Sequence, residues 1–454
     1  MTNSTRSIAT LAYLVAVLLL GGASAGGYSG NTLLQFAGAG LVGWVYWASA
    51  PGEASVTGLR RFLIAVAVLI AVQFLPLPPA LWTHMPGRGA IAQGFALAGE
   101  PLPWLTLSLA PWKSIASFAW WIPAIALFVA MRAESAPSAR SLIWTITTVA
   151  AVSVVLGALQ QAGTGYLYIV TNYGEGPGFF ANSNHQGSFV LTTLALWTGW
   201  IAAARQQPSR CGPGRFGGSQ TVLLAIAGLL IMGVLVSGSL ACLSLLLPVT
   251  VASLFIARPQ LRVALPVIVV GAVVVVGGFV AFLLFGPIAN DLTAKGAVAG
   301  ISRGEFLVNG VKMLRDYLPF GSGVGTFQDL YRWYENPAQV GTTYVNHAHD
   351  DLLELLIETG LFGLAAVGLF LVWFAPRAWN LWTNERNHPV ALAASVVIAV
   401  ELLHSLVDYP LRTAAMSSVM AIACVLLVRQ PETQRNRRRD LRPSEHTDGE
   451  LLRI

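Results

Sequence analysis

Apolar runs long enough to cross a membrane recur along most of this chain. A helix needs about 20 consecutive apolar residues to span the hydrocarbon, and these runs have that length. Charge is correspondingly scarce. Of 454 residues 55% are hydrophobic, and only 11% are Asp, Glu, Lys or Arg, against about 25% in a soluble protein. So few charges cannot cover a water-facing surface, which excludes an ordinary soluble enzyme. Disorder is excluded too, because it requires low hydrophobicity. The 14 Trp, 45 Gly and 24 Pro suit membrane interfaces and bundled spans. The expected fold is an all-α polytopic membrane bundle.

The runs predict twelve spans, roughly 8–25, 31–50, 62–82, 114–131, 140–160, 186–204, 221–237, 240–257, 263–285, 350–375, 390–410 and 412–428. With the N-terminus in the cytosol, nineteen of the 27 basic residues fall on the cytosolic side, seven of them in the tail from Arg429 to Arg453. That is the asymmetry the positive-inside rule expects. The stretch 221–257 is too long for one span, and two spans hinged at Ser237-Gly238-Ser239 keep the tail inside. Arg6, the apolar stretch and Ala23-Ser24-Ala25 also resemble a cleavable signal; an uncleaved first span is preferred. The expected organisation is N-terminal spans over 1–285, a long outer loop subdomain over 286–349, C-terminal spans over 350–428, and a basic cytoplasmic tail over 429–454. Inside the loop, Phe306, Gly310, Met313 and Leu314 form one stripe of a helix over 303–317.

Seven of the 27 basic residues lie in the tail from Arg429 to Arg453, where the positive-inside rule accounts for them, so the net charge of +6 points to topology and not to nucleic acid. Cys211, Cys242 and Cys424 make no disulfide framework and have no metal-ligand spacing. No cofactor is implied.

The richest polar segment is Asn346-His347-Ala348-His349-Asp350-Asp351, followed by Glu354 and Glu358. On a helix Asp350, Glu354 and Glu358 share a face, and a carboxylate inside a span is costly unless it meets a cavity or a partner. His349 suits a general base oriented by a neighbouring carboxylate. The plainer reading is that these groups solvate a helix end. Glu401, His404 and Asp408, followed by Arg412, form a second stripe; it either neutralises itself or handles protons or a diphosphate. Asn182, Asn184 and His185 suit sugar hydroxyls or phosphate oxygens, or merely a turn. Tyr331, Trp333 and Tyr334 suit sugar stacking or an interfacial belt. Arg303 is one of few cations on the outer side and suits bidentate phosphate recognition, with Lys295, Lys312, Arg315, Arg332 and Arg412 as alternatives.

Taken in order, these elements resemble the O-antigen ligase and polymerase family of integral membrane glycosyltransferases. His349-Asp350, nine residues, then Gly360-Leu361-Phe362-Gly363 resembles its His–Gly-x-x-Gly pattern, with Asp350 where Asn, Ser or Gln is usual. Arg303 with Pro319-Phe320-Gly321-Ser322-Gly323-Val324-Gly325 resembles its Arg and Pro-x-x-Gly-x-Gly turn. Phe180-Ala181-Asn182-Ser183-Asn184-His185 and His404-Ser405-Leu406-Val407-Asp408-Tyr409 resemble two further segments. Many members carry Ser-Arg-Gly where this chain reads Ser239-Leu240-Ala241, so a phosphate-binding arginine expected there is missing.

The resemblance implies the C-type glycosyltransferase superfold in the bacterial inner membrane, with both termini cytoplasmic and the loop subdomain over 286–349 periplasmic. It implies transfer of a glycan from undecaprenyl diphosphate to an acceptor hydroxyl at the periplasmic face, without a metal. The implied partners are that donor, a glycan or lipid acceptor, membrane lipids and polysaccharide export machinery. His349 is then the base, Arg303 (with Arg412) stabilises the leaving diphosphate, and Asp350 or Glu354 orients His349. Asn182, Asn184, His185, Arg332, His404 and Asp408 are the remaining substrate-binding candidates. Ligase and polymerase share these motifs; the missing arginine tilts the reading towards an exopolysaccharide polymerase. The competing reading is a proton-coupled transporter or flippase using Glu358 and Glu401. Against it, the polar groups gather at one surface and no repeated half is visible.

Overall fold

The computed structural model describes residues 3–24, 28–48, 57–133, 135–163, 168, 177–206, 217–258, 260, 270, 271, 277, 303–339, 345–384 and 387–429. Helices dominate: α1 (Asn3–Leu20), α2 (Ser29–Ala48), α3 (Thr57–Val72), α4 (Pro79–Trp82), α5 (Gly89–Ala98), α6 (Pro111–Ala119), α7 (Ile122–Arg132), α8 (Ala139–Gln161), α9 (Ser183–Gln206), α10 (Gly217–Ser237) and α11 (Leu240–Ala257). After a gap in the described residues come α12 (Arg303–Tyr317), α13 (Phe327–Tyr331), α14 (Asp351–Thr383), α15 (Pro389–His404) and α16 (Ala414–Val428). One two-residue ribbon, β1 (Pro76–Leu77) with β2 (Leu105–Thr106), runs antiparallel.

Helix α9 is the pillar of the bundle. Every residue from His185 to Trp197 is buried, as a helix enclosed on all sides requires. It packs against α8, α10, α11 and α15. Gly199 permits the close approach of α15: a Cβ there would lie 2.8 Å from the Pro389 carbonyl oxygen. The core around α9 is apolar and large, with Leu14, Leu142, Ile146, Phe189, Val397, Met416 and Ile422 fully buried.

By length and composition five helical stretches can cross a membrane: Pro111–Arg132, Ala139–Gln161, Ser183–Gln206, Leu240–Ala257 and Asp351–Thr383. Five more apolar helices are shorter. Among the described residues the expected count of twelve spans is therefore not reached, and the expected ninth span, 263–285, lies largely outside them. Two expected boundaries move for a clear reason. The third span stops at Val72 because Pro76, Pro78 and Pro79 follow; proline has no N–H to continue a helix. The eleventh stops at His404, ahead of Pro410. The hinge falls where the sequence places it. Gly238 is left-handed (φ 64°), and Ser239 accepts the Cys242 N–H as an N-cap.

The loop before α14 is docked onto that helix. Phe306 and Met313 of α12 are buried, and Gly310 faces Leu353. At Gly360 (φ 59°, ψ −145°) α14 breaks its helical path. The break frees the Ile357 and Glu358 carbonyls, which accept from Ser322 N (3.0 Å) and Gly323 N (2.8 Å), while Leu361 N donates to Pro319 O (2.9 Å). A Cβ at Gly360 would collide with the Pro319 carbonyl. The glycine-rich turn and Gly360 thus fit one another, and a left-handed backbone at the contact demands glycine.

Candidate active site

Two helix N-termini and a loop meet at one end of the bundle. The first is the N-terminus of α9, where Asn182 Oδ1 accepts Asn184 N–H at 2.8 Å. The second is the N-terminus of α14, where Asp350 accepts Leu353 N–H at 2.9 Å and caps the helix. The third is the loop between α15 and α16, which is tied to the second by Asp351 N donating to Ser405 O at 2.8 Å.

Asp408 is the centre of the first cluster. Its side chain is 1% exposed. Oδ2 accepts from Asn184 Nδ2 at 2.6 Å, and Oδ1 accepts the Tyr409 N–H at 3.0 Å. Oδ1 also faces His349 Nδ1 at 3.3 Å and His185 Nε2 at 3.8 Å. Burial alone would push this carboxyl up. The interactions with His185 and His349 outweigh it and hold Asp408 well below the usual carboxylate range. Asp408 is therefore an anion between two imidazoles.

His349 has a left-handed backbone (φ 53°), the single non-glycine residue among those described with a positive φ. Such conformations cost free energy and persist where the surroundings enforce them. Its ring stacks on Phe306 (5.3 Å between centroids, 9° between planes) and meets the Tyr409 ring edge-on at 4.9 Å. At 28% exposure its side chain is far more accessible than those of Asp408 and His185. Tyr409 is ringed by three histidines, since His185 and His347 also contact it at 4.9 and 4.5 Å. The Asn182 side chain also reaches the Tyr409 hydroxyl.

The second cluster surrounds Arg412. Nε contacts Asp351 Oδ1 at 3.0 Å, and Nη1 contacts Glu354 Oε1 at 2.9 Å and Glu358 Oε2 at 3.5 Å. Against the cost of burial, Glu354, Glu358 and Asp351 push the guanidinium pKa above its ordinary value. Glu354 also holds His347 Nδ1 (2.9 Å) and Ala348 N (2.8 Å). Burial lowers the His347 pKa, with Glu354 opposing the shift. Glu358 Oε1 accepts from Gly325 N (2.9 Å) and Phe327 N (3.3 Å). The acidic face of α14 thus fastens both preceding loops and Arg412.

The sequence candidates divide accordingly. His349, His185, Asn184, Asn182 and Asp408 come together. Glu354 and Arg412 lie in the adjoining cluster, where Arg412 is committed to three carboxylates and is not a free cation. The carboxylate facing His349 is Asp408; Asp350 caps its helix and Glu354 serves His347 and Arg412. His404 is buried at the end of α15, where its carbonyl accepts the Val407 and Asp408 N–H groups at 3.0 Å each. Arg332 ends α13, exposed and outside both clusters. Arg303 begins α12 one turn before Phe306, and its side chain lies outside the described residues. Sequence reasoning missed Tyr409 and the role of His347; an aromatic just before Pro410 was the available signal. Among the described residues no three His, Cys, Asp or Glu side chains are set to hold a metal ion.

The fold and site define a helical membrane protein whose polar machinery, a histidine paired with a buried aspartate, sits at the helix ends. Residues 222–367 match the family model described as O-Antigen ligase. The match covers about a third of the chain and supports an O-antigen ligase-type function in surface polysaccharide biosynthesis. The matched stretch includes Arg303, the glycine-rich turn, His349 and Gly360; Asn182 to His185 and His404 to Arg412 lie outside it and are joined to it by the contacts above. No curated protein matches the chain.

Proposed function

We propose that the protein is an integral inner-membrane glycosyltransferase, moving a glycan from undecaprenyl diphosphate to an acceptor hydroxyl at the periplasmic face. The observation that carries this reading is His349 Nδ1 at 3.3 Å from the Asp408 anion inside an O-antigen ligase-type protein. An anion at Nδ1 fixes the tautomer and leaves Nε2 as the proton acceptor. The acceptor hydroxyl oxygen bonds to the anomeric carbon, and its proton passes to His349 Nε2. The bond from that carbon to the phosphate oxygen breaks, and the diphosphate leaves with the electron pair. Asp408 then stabilises the imidazolium. The leaving charge needs a fixed cation, and Arg303 is the proposed one, since Arg412 is already neutralised by its carboxylates.

The absence of arginine at Leu240 favours polymerisation of surface glycan over its ligation to a lipid core. Deleting the gene in its host, with surface glycans and lipid-linked intermediates analysed in parallel, tests the reading. Loss of long chains with single repeat units still attached indicates a polymerase. Loss of all attached glycan, with full-length chains accumulating on undecaprenyl diphosphate, indicates a ligase. An unchanged profile contradicts both.

A further inference from the structure

Between α3 and α6 the chain makes an excursion that packs at Gly87 against Tyr317 of α12. Pairing of Pro76–Leu77 with Leu105–Thr106 brings the two ends of the excursion together. That ribbon lies close in sequence to apolar helices on both sides, α3 ending at Val72 and α6 opening the candidate span Pro111–Arg132. The excursion therefore starts and finishes near the membrane surface. Its helix α5 has ten residues, GAIAQGFALA, with no charge and no buried residue. At about 1.5 Å per residue it is roughly half the length needed to cross about 30 Å of hydrocarbon.

The large exposed side chains of this excursion are apolar, and the polar ones exposed beside them are His84, Gln93 and Glu100. Leu97 is 89% exposed, Trp104 65% and Leu81 57%. Arg88 is its one basic residue, and it is turned inward at 1% exposure, its guanidinium donating to the Thr106 and Leu107 carbonyls. A mostly apolar surface whose one arginine is spent on its own backbone, and whose one carboxylate, Glu100, follows α5 at its C-terminal end, suits the membrane boundary better than open water. The base of the excursion is in turn bonded to the glycine-rich turn that docks at Gly360. Leu109 N donates to Ser322 O (2.9 Å), Ser114 Oγ to Val324 O (2.7 Å), and Val324 N to Gln73 Oε1 (3.3 Å).

We infer that residues 78–104 form a monotopic anchor lying in the headgroup–acyl boundary of the leaflet at the His349 end of the bundle. Its partner is the lipid surface itself. Leu97, Leu81 and Phe95 enter the acyl boundary, and Trp104 sits at the headgroup level, as amphipathic rings do. Through the bonds at its base it fixes the depth at which the glycine-rich turn, and with it α14, meets the bilayer.

The test is a spin-label accessibility measurement on the full chain in bilayer nanodiscs of phosphatidylethanolamine and phosphatidylglycerol, with Cys211, Cys242 and Cys424 replaced by Ser. A nitroxide at Leu97→Cys is compared with one at Asn336→Cys, an exposed polar position. The expected result is a ratio of oxygen to nickel-chelate collisions several-fold higher at 97 than at 336. An equal or lower ratio at 97 overturns the proposal, as does spin–spin broadening that shows a second copy covering the helix. If Leu97→Cys fails to assemble, Trp104 emission decides, taken as the difference between the wild type and Trp104→Phe. Strong quenching by lipids brominated high on the acyl chain supports the anchor; no quenching overturns it.

Discussion

Replacing Asp408 with Asn keeps the side chain's size and removes its charge, which isolates what the anion does for His349. One amide orientation keeps the bond from Tyr409 N to Oδ1 (3.0 Å now) and sets the amide nitrogen against Asn184 Nδ2, now 2.6 Å from Oδ2. The other orientation sets it against the Tyr409 N–H and His349 Nδ1, now 3.3 Å away. Each leaves donors facing one another in a buried site, at a cost of about 1–3 kcal/mol. The larger effect is on rate, because no anion then stabilises the imidazolium as it forms. General-base catalysis is worth about 10²–10⁴, or about 2.7–5.4 kcal/mol at 1.36 kcal/mol per tenfold. We predict a fall in single-turnover glycan transfer by about 10²–10⁴ in proteoliposomes holding lipid-linked donor and acceptor. Asn184→Ala keeps the charge and removes one donor, so its loss should be about tenfold, the worth of one hydrogen bond. Transfer by Asp408→Asn within about threefold of wild type would refute the pairing as the source of base strength.

Gly360→Ala should destabilise the fold by more than about 1–2 kcal/mol, because alanine is strained at a left-handed backbone and would meet Pro319 O; Gly368→Ala, which meets nothing within 4 Å, should be neutral in the same thermal unfolding assay. Arg412→Met should cost about 3–5 kcal/mol by leaving buried carboxylates uncompensated, and Arg412→Lys should fall between, since one ammonium cannot hold Asp351 and Glu354 as Nε and Nη1 do; yield and thermal midpoint check both. His347 has its folded pKa lowered, so the unfolded chain takes up its proton first as pH falls. That contribution to stability is intact above the ordinary imidazole value of 6.5 and declines below it, and His347→Gln should flatten the slope of unfolding midpoint between neutral and mildly acidic pH.

Much of this architecture is legible in local sequence. The stripe at Phe306, Gly310 and Met313 reads as a helix, and the helix is there; Gly238 reads as a hinge because glycine takes the left-handed conformation freely. The glycine-rich turn and Gly360 are visible as motifs, but their docking on one another is not, since it depends on a helix breaking to expose its carbonyls. Pairings across long separations were the main loss. His349 and Asp408 are 59 residues apart in sequence, and spacing favoured the nearer Asp350 and Glu354. The expected helical face of Glu401, His404 and Asp408 is half realised. The helix ends at His404, and Asp408 reaches His349 from the following loop, while Glu401 accepts from Ser188 deep in the bundle at 2.8 Å. Arg412 looked like an available cation because the sequence does not show the three carboxylates that surround it.

The most direct test of the central claim is transfer by purified protein carrying His349→Gln, in proteoliposomes with lipid-linked glycan and acceptor, beside a protein-stability control. The account predicts a folded protein whose transfer falls by at least about 10², with lipid-linked donor remaining unconsumed. A folded His349→Gln variant that transfers glycan at the wild-type rate would contradict it.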